Sequence, residues 1–219
     1  MSYLLWQLAD SGFPAGGFAH SGGLEAAMQH GLVRDRASVR AFAEHAVLQA
    51  GRGALPIASA AHRSPERLAE LDHLSDAFLS SPVANRASCA QGRALLSSAI
   101  RSFPDAVLAP IDERVRADGL AAHHAPLFGV IMRTLGLDLG ETQRLLLYLT
   151  ARGVGGAAVR LGLIGAYDAQ ELQTALAPQL ERLVNRFGDL DPLEISVAAP
   201  LIYLFQSTHD RLYSRLFQS

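Results

Sequence analysis

An all-α fold follows from three features of the chain. Apolar residues recur at offsets of three and four in stretch after stretch, cap-forming Ser and Asp residues stand just before those stretches, and no period-two alternation lasts long enough for a sheet. At 219 residues the chain suits one domain with a substantial core. The expectation is a single compact bundle over residues 1–219, of about ten helices at ordinary helix lengths, with residues 208–219 as a tail that could order on a partner.

Taken in order, Leu4, Leu5, Trp6 and Leu8 give a short docked helix from about Ser2 to Ala9. A glycine-rich stretch, Asp10 to Glu25, follows it. Leu24, Ala27 and Met28 mark a helix that Gly31 can end, because glycine accepts the left-handed backbone of a helix C-terminus. Asp35 caps the next helix, where Val39, Phe42, Ala43, Ala46, Val47 and Ala50 fall on one stripe and Arg40 and Glu44 lie opposite. Gly51 and Gly53 close it. Leu55-Pro56 opens an alanine-rich segment to His62, and Ser64-Pro65-Glu66 reads as cap, first-turn proline and early carboxylate ahead of Leu68, Leu71, Leu74 and Phe78.

Ser81-Pro82 repeats that chemistry before a small-residue run to Arg101, which is expected at the bundle centre because small side chains permit close approach. A loop at Phe103-Pro104-Asp105 leads to a helix reaching Ala117, which Pro110 is expected to divide. Leu127 to Leu135 is the next apolar segment. Asp138, Asp168 and Asp191 each stand three residues before a glutamate (Glu141, Glu171, Glu194) and are read as capping boxes. Leu172, Leu176, Leu180, Leu183, Val184 and Phe187 form one more stripe, and the last helix is expected from Pro192 to Gln206.

Composition removes several function classes. Net charge is −2 and the 19 cationic residues are all arginine, scattered among acidic residues, so nucleic acid is not an expected partner. The start lacks a basic n-region and no apolar run reaches bilayer length, so a soluble cytoplasmic protein is expected. One cysteine, Cys89, excludes an internal disulfide.

The glycine-rich stretch fails as a Walker loop. Gly23 and Leu24 follow Gly22 where Lys and Ser or Thr are required. Two roles stay open for it. One is a structural turn, bent by Pro14 and pinned by Phe13 and Phe18; the other is a binding surface. No histidine pair sits four apart on one helix, so no metal site is expected. Gly153 to Ala158 formally fits Gly-x-Gly-x-x-Ala, which keeps a small-molecule enzyme with a dinucleotide as the alternative, although the capping box at Asp138 argues for a helix there. No cofactor and no catalytic residue are expected. At the other end Tyr213, Leu216 and Phe217 are large apolar groups where disorder is the default. Their burial partner is either the chain's own core or another protein.

The string Asp10-Ser11-x-x-Pro14-x-Gly16-x-Phe18-x-His20-Ser21-x-Gly23-Leu24-Glu25 resembles the N-terminal signature of the urease accessory protein UreF family. Arg86-Ala87-Ser88 with Gly92-Arg93 and Leu95-Leu96, then Ala158-Val159-Arg160-Leu161, then Ala199-Pro200, His209 and Leu212 to Ser219 resemble later blocks of the same family in order. The resemblance implies a non-catalytic accessory protein that dimerises. It would join a UreD/UreH-type protein and the GTPase UreG on apo-urease, and modulate GTP-dependent nickel insertion without binding GTP. It also implies partner-binding residues at two places: Asp10, Pro14, Gly16, His20, Ser21, Gly23 and Glu25 near the GTPase, with Glu25 foremost, and Tyr213, Arg215, Leu216 and Phe217 toward the UreD/UreH-type partner. The tail rings are expected to bury in that partner, so that truncation after Thr208 abolishes the complex and spares helical content.

Overall fold

The computed structural model describes residues 3–104 and 107–219. Among them are eleven α-helices, several 3₁₀ turns and no strand. The helices are α1 (Tyr3–Ala9), α2 (Leu24–Gln29), α3 (Arg36–Arg52), α4 (Ala54–Arg63), α5 (Leu68–Phe78), α6 (Pro82–Ser102), α7 (Ala109–Ala117), α8 (His124–Thr134), α9 (Leu139–Arg160), α10 (Ala166–Phe187) and α11 (Pro200–Thr208). One contiguous apolar core runs from Leu8 in α1 to Phe217 in the tail.

Cap chemistry sets several starts as the sequence predicts. Asp35 accepts from Ser38 N at 2.8 Å and Asp138 from Glu141 N at 2.7 Å, each satisfying an amide that the first helical turn leaves free. Ser81 and Pro82 begin α6. Other starts differ. Ser64 makes no side-chain cap, and Pro65–Arg67 forms a 3₁₀ turn before α5. Pro110 does not divide a helix; it lies in the first turn of α7, where a missing N–H costs nothing. Asp168 is the third helical residue and accepts from Gly165 N at 3.0 Å, so α10 starts three residues earlier than expected.

At Asp191 the cap is real but supports only a 3₁₀ turn, Pro192–Glu194. The amides of Ala198 and Ala199 instead donate to Gln49 Oε1 at 2.8 and 2.9 Å, which delays α11 to Pro200. Asp105 lies outside the described residues.

The centre of the bundle is the α4–α8 pair and not α6. Eight residues of α4, Leu55 to His62, are buried, and Gly129 of α8 sits against them. A Cβ at Gly129 would overlap the Ala58 carbonyl oxygen and lie 2.9 Å from Ala61 Cβ. Small residues do mediate close approach, as expected, both here and on α6, where a Cβ at Gly92 would overlap the Ala122 carbonyl oxygen. The face of α6 packs on α8 and carries the glycine-rich loop, while α9, α3 and α10 close the other side.

Gly129→Ala should therefore lose about 3 kcal/mol of stability, because neither helix backbone can yield without opening the core. Urea unfolding measures it; a loss under about 0.5 kcal/mol would contradict this packing.

Candidate functional site

Two stretches distant in sequence meet at the end of the bundle formed by α2, α11 and the last turn of α9. The first is the glycine-rich loop. Its early half lies on α6: Asp10 Oδ1 accepts from Gly12 N at 2.6 Å, the Pro14 carbonyl from Ser98 Oγ at 2.7 Å, and Phe13 stacks on Phe103 at 6.0 Å. Gly16 has φ 79°, and a Cβ there would stand 2.9 Å from Ala94 Cβ. Only glycine meets both demands. Gly23 is alike, with φ 92° and α11 backbone 3.0 Å from a Cβ position at Gln206 N.

The second stretch is the tail. After a 3₁₀ turn at His209–Arg211 it crosses α2 with bends at Tyr213–Ser214 and Leu216–Phe217 and returns to the loop. Gln29 Nε2 donates to the Ser214 carbonyl at 2.8 Å, Gln218 N donates to the Ala19 carbonyl at 2.8 Å, and Ser21 N to the Ser219 carbonyl at 2.6 Å. Ser21 Oγ adds a bond to that same carbonyl at 3.0 Å, and His20 Nδ1 lies 2.6 Å from Ser219 Oγ.

Glu25 sits beneath both. Its carboxylate is 2% exposed and gathers three donors from the tail: His209 Nε2 at 3.0 Å, Leu216 N at 2.6 Å and Phe217 N at 3.2 Å. Such a group is costly to bury alone and stable only when its acceptor sites are filled. Arg160, from the last turn of α9, completes the join. Its guanidinium lies 3.8 Å from the Phe18 ring centre and 4.2 Å from that of Phe217, and it donates to the Phe18 carbonyl. A cation between two ring faces is attracted to both.

The sequence-predicted site residues divide by this geometry. His20, Ser21, Gly23 and Glu25 meet the tail or α11, and Asp10, Pro14 and Gly16 belong to the half of the loop seated on α6. Phe217 is buried at 5% exposure in its own chain, so of the two partners considered for the tail rings it has taken the internal one. Tyr213 is fully exposed and Leu216 55% exposed. Arg215 lies 3.5 Å from Asp210, which also pairs with Arg86 of α6 at 2.5 Å. Truncation after Thr208 would remove every donor that Glu25 has in the tail, so it would disturb α2 as well as any complex.

Three residues of this unit, Arg160, His209 and Gln29, were not foreseen as site residues. Arg160 and His209 stand in the blocks that carry the family resemblance, which was their one signal; nothing in the spacing of Gln29 marks it.

Among the described residues no group of three or more His, Cys, Asp or Glu is placed to hold a metal ion. Cys89 Sγ is nearly equidistant from the two ring nitrogens of His123, at 3.7 and 3.8 Å, so it packs on the ring and does not point at one lone pair. Burial pushes its thiol pKa up, away from nucleophilic character. Gly153 to Ala158 lie inside α9 with no strand beside them, so the parallel sheet of a dinucleotide site is missing among the described residues.

Comparison with known proteins matches residues 33–177 to the UreF family model. The chain is 39% identical over 217 residues to urease accessory protein F of Oryza sativa subsp. indica, covering 97% of this chain and 83% of the relative. It is 34% identical to the Arabidopsis thaliana protein of the same name, covering 100% and 93%. It is 33% identical to urease accessory protein UreF of Arthrobacter sp. (strain FB24), covering 98% and 96%. The chain belongs to the UreF family. The family model ends short of both halves of the loop–tail unit, whereas these UreF relatives align across nearly the whole chain.

The histidines of this UreF-family chain set a pH dependence. Burial, then its interaction with the neighbouring His209, lowers the pKa of His20; burial, then His20, lowers that of His124 to about 4, where its ring packs on Phe128. A folded-state pKa below the unfolded value of 6.5 means that the unfolded chain takes up the proton first. Stability is therefore complete above pH 6.5 and is lost as pH falls toward 4. His124 alone makes the protein roughly 2 kcal/mol less stable at pH 5 than at pH 7. Denaturant titrations at both values should show this loss, and His124→Gln should shrink it; equal slopes in the two proteins would refute the assignment.

Proposed function

We propose that this chain is a urease maturation accessory protein that contributes contact surface, not catalysis. The loop–tail unit is its principal docking face, and the observation that carries this is the burial of Glu25 under the tail with Tyr213 and Leu216 left outside. A UreD/UreH-type protein docks on Tyr213, Leu216, the exposed Phe18 and the guanidinium of Arg215. Glu25, Ser21, His20 and Phe217 hold that face in shape from below. The GTPase UreG is met on the outer side of the early loop, Asp10 to Gly17, so that one protein bridges two partners from adjoining surfaces.

Assembly as a homodimer, action on apo-urease and modulation of GTP-dependent nickel insertion complete the reading. Membership of the UreF family supports it. The segment Gly153 to Ala158 serves helix packing; no observation favours the dinucleotide reading. No helix among the described residues is long and apolar enough to cross a membrane. The working location is the cytoplasm.

Tyr213→Ala with Leu216→Ala tests the docking face without touching its support. Exposed side chains change stability by about 0.5 kcal/mol or less, so the double variant should melt like the parent. Co-expressed with a UreD/UreH-type protein, it should lose at least about tenfold in association, as expected when central aromatic and aliphatic anchors are removed. Undiminished co-purification would overturn the assignment of this face.

A further inference from the structure

The bundle carries a second surface where α7 stands away from α6. Arg114 ties α7 from behind to the turn before α5, donating to the Pro65 carbonyl at 3.2 Å and to the Glu66 carbonyl at 2.7 Å. The opposite side of α7 faces α6 across a groove of about 590 Å³. One wall is a single stripe of α6 at helical spacing: Arg93, Leu96, Ser97, Ile100 and Arg101. The other is Val115, with Asp112 and Arg116 paired beside it, and Leu120 lies on the floor with Leu96.

Charge decides what fits. Three guanidiniums, Arg93, Arg101 and Arg116, line the groove against one carboxylate, Asp112, which gives a local charge of +2 on a chain whose net charge is −2. Arg93 is held in place by donating to the Ala121 carbonyl at 3.0 Å. An apolar floor under a cationic rim suits a ligand that has both characters. A free phosphate would leave the half-buried Ile100 and Val115 uncovered, and a purely apolar ligand would leave the guanidiniums facing nothing. The groove is open along its length, which suits a chain segment better than an enclosed small molecule.

We propose that the α6–α7 groove is a docking site for an acidic segment of a partner protein, whose apolar side chains cover Ile100 and Val115 while its carboxylates meet Arg93, Arg101 and Arg116. Planar guanidiniums suit carboxylates through paired hydrogen bonds, and the rim charge speeds encounter. Its lining residues are not those that hold the loop or the tail, although both surfaces use the C-terminal half of α6.

The probe is a labelled peptide of about 14 residues with leucine and glutamate at helical spacing, its lysine-for-glutamate counterpart serving as control. Fluorescence anisotropy on the full chain should show saturable binding of the glutamate peptide, weakening as salt rises, and at least about tenfold weaker binding of the lysine peptide. Arg101→Glu with Arg116→Glu should invert that preference. Ser97→Trp, which fills the groove at unchanged charge, should abolish binding of the glutamate peptide, while circular dichroism shows both variants folded. Equal binding of the two peptides, no binding of either, full competition by millimolar inorganic phosphate, or stronger association with anionic vesicles than with the glutamate peptide would each overturn the proposal.

Discussion

A single buried carboxylate holds the two most distinctive stretches of this chain together. Glu25 has no room for solvent, and its acceptor sites are filled by donors contributed from the tail some 190 residues later. Satisfying that charge forces the tail across α2 and brings Phe217 onto the core. It also leaves Tyr213 and Leu216 on the outside. The aromatic loop, the glycines that let it pass close to α6 and α11, and the sandwiched Arg160 all serve the same closure. Remove the carboxylate and these features lose their common reason.

This arrangement changes how a conspicuous motif is understood. A glutamate foremost in a signature suggests a side chain aimed at a partner. Here it faces inward and acts through the backbone it anchors, so its effect on any complex is a matter of shape. The exposed groups that gain from it, Phe18, Tyr213 and Leu216, carry little distinction of their own in the sequence. The groove beside α7 follows different physics: an apolar floor and a cationic rim, with helix placement set by Arg114 from behind.

Much of the fold was legible because local rules and global packing agree. Asp35, Ser81 and Asp138 announce their helices, and the stripes of α3 and α10 are buried as their periodicity implies. Where local rules failed, a tertiary bond had intervened. Gln49 takes the amides that would otherwise have let the last helix begin near Pro192, and Gly129 makes α4 and α8 the centre although α6 is the helix with the more conspicuous run of small residues. The candidate site was half legible. Both stretches stood out by composition, but no pattern in either says that they touch, because a hydrogen bond between Glu25 and the amides of Leu216 and Phe217 depends on backbone groups that every residue has.

Native-state hydrogen exchange at the amides of Leu216 and Phe217 in the isolated protein tests this account most directly. Both should exchange far more slowly than an unstructured terminus, and replacing Glu25 with glutamine should speed them more than the amides of α4 or α8. Exchange at unstructured rates in the parent protein would contradict it, since the tail would then not be held by its own chain.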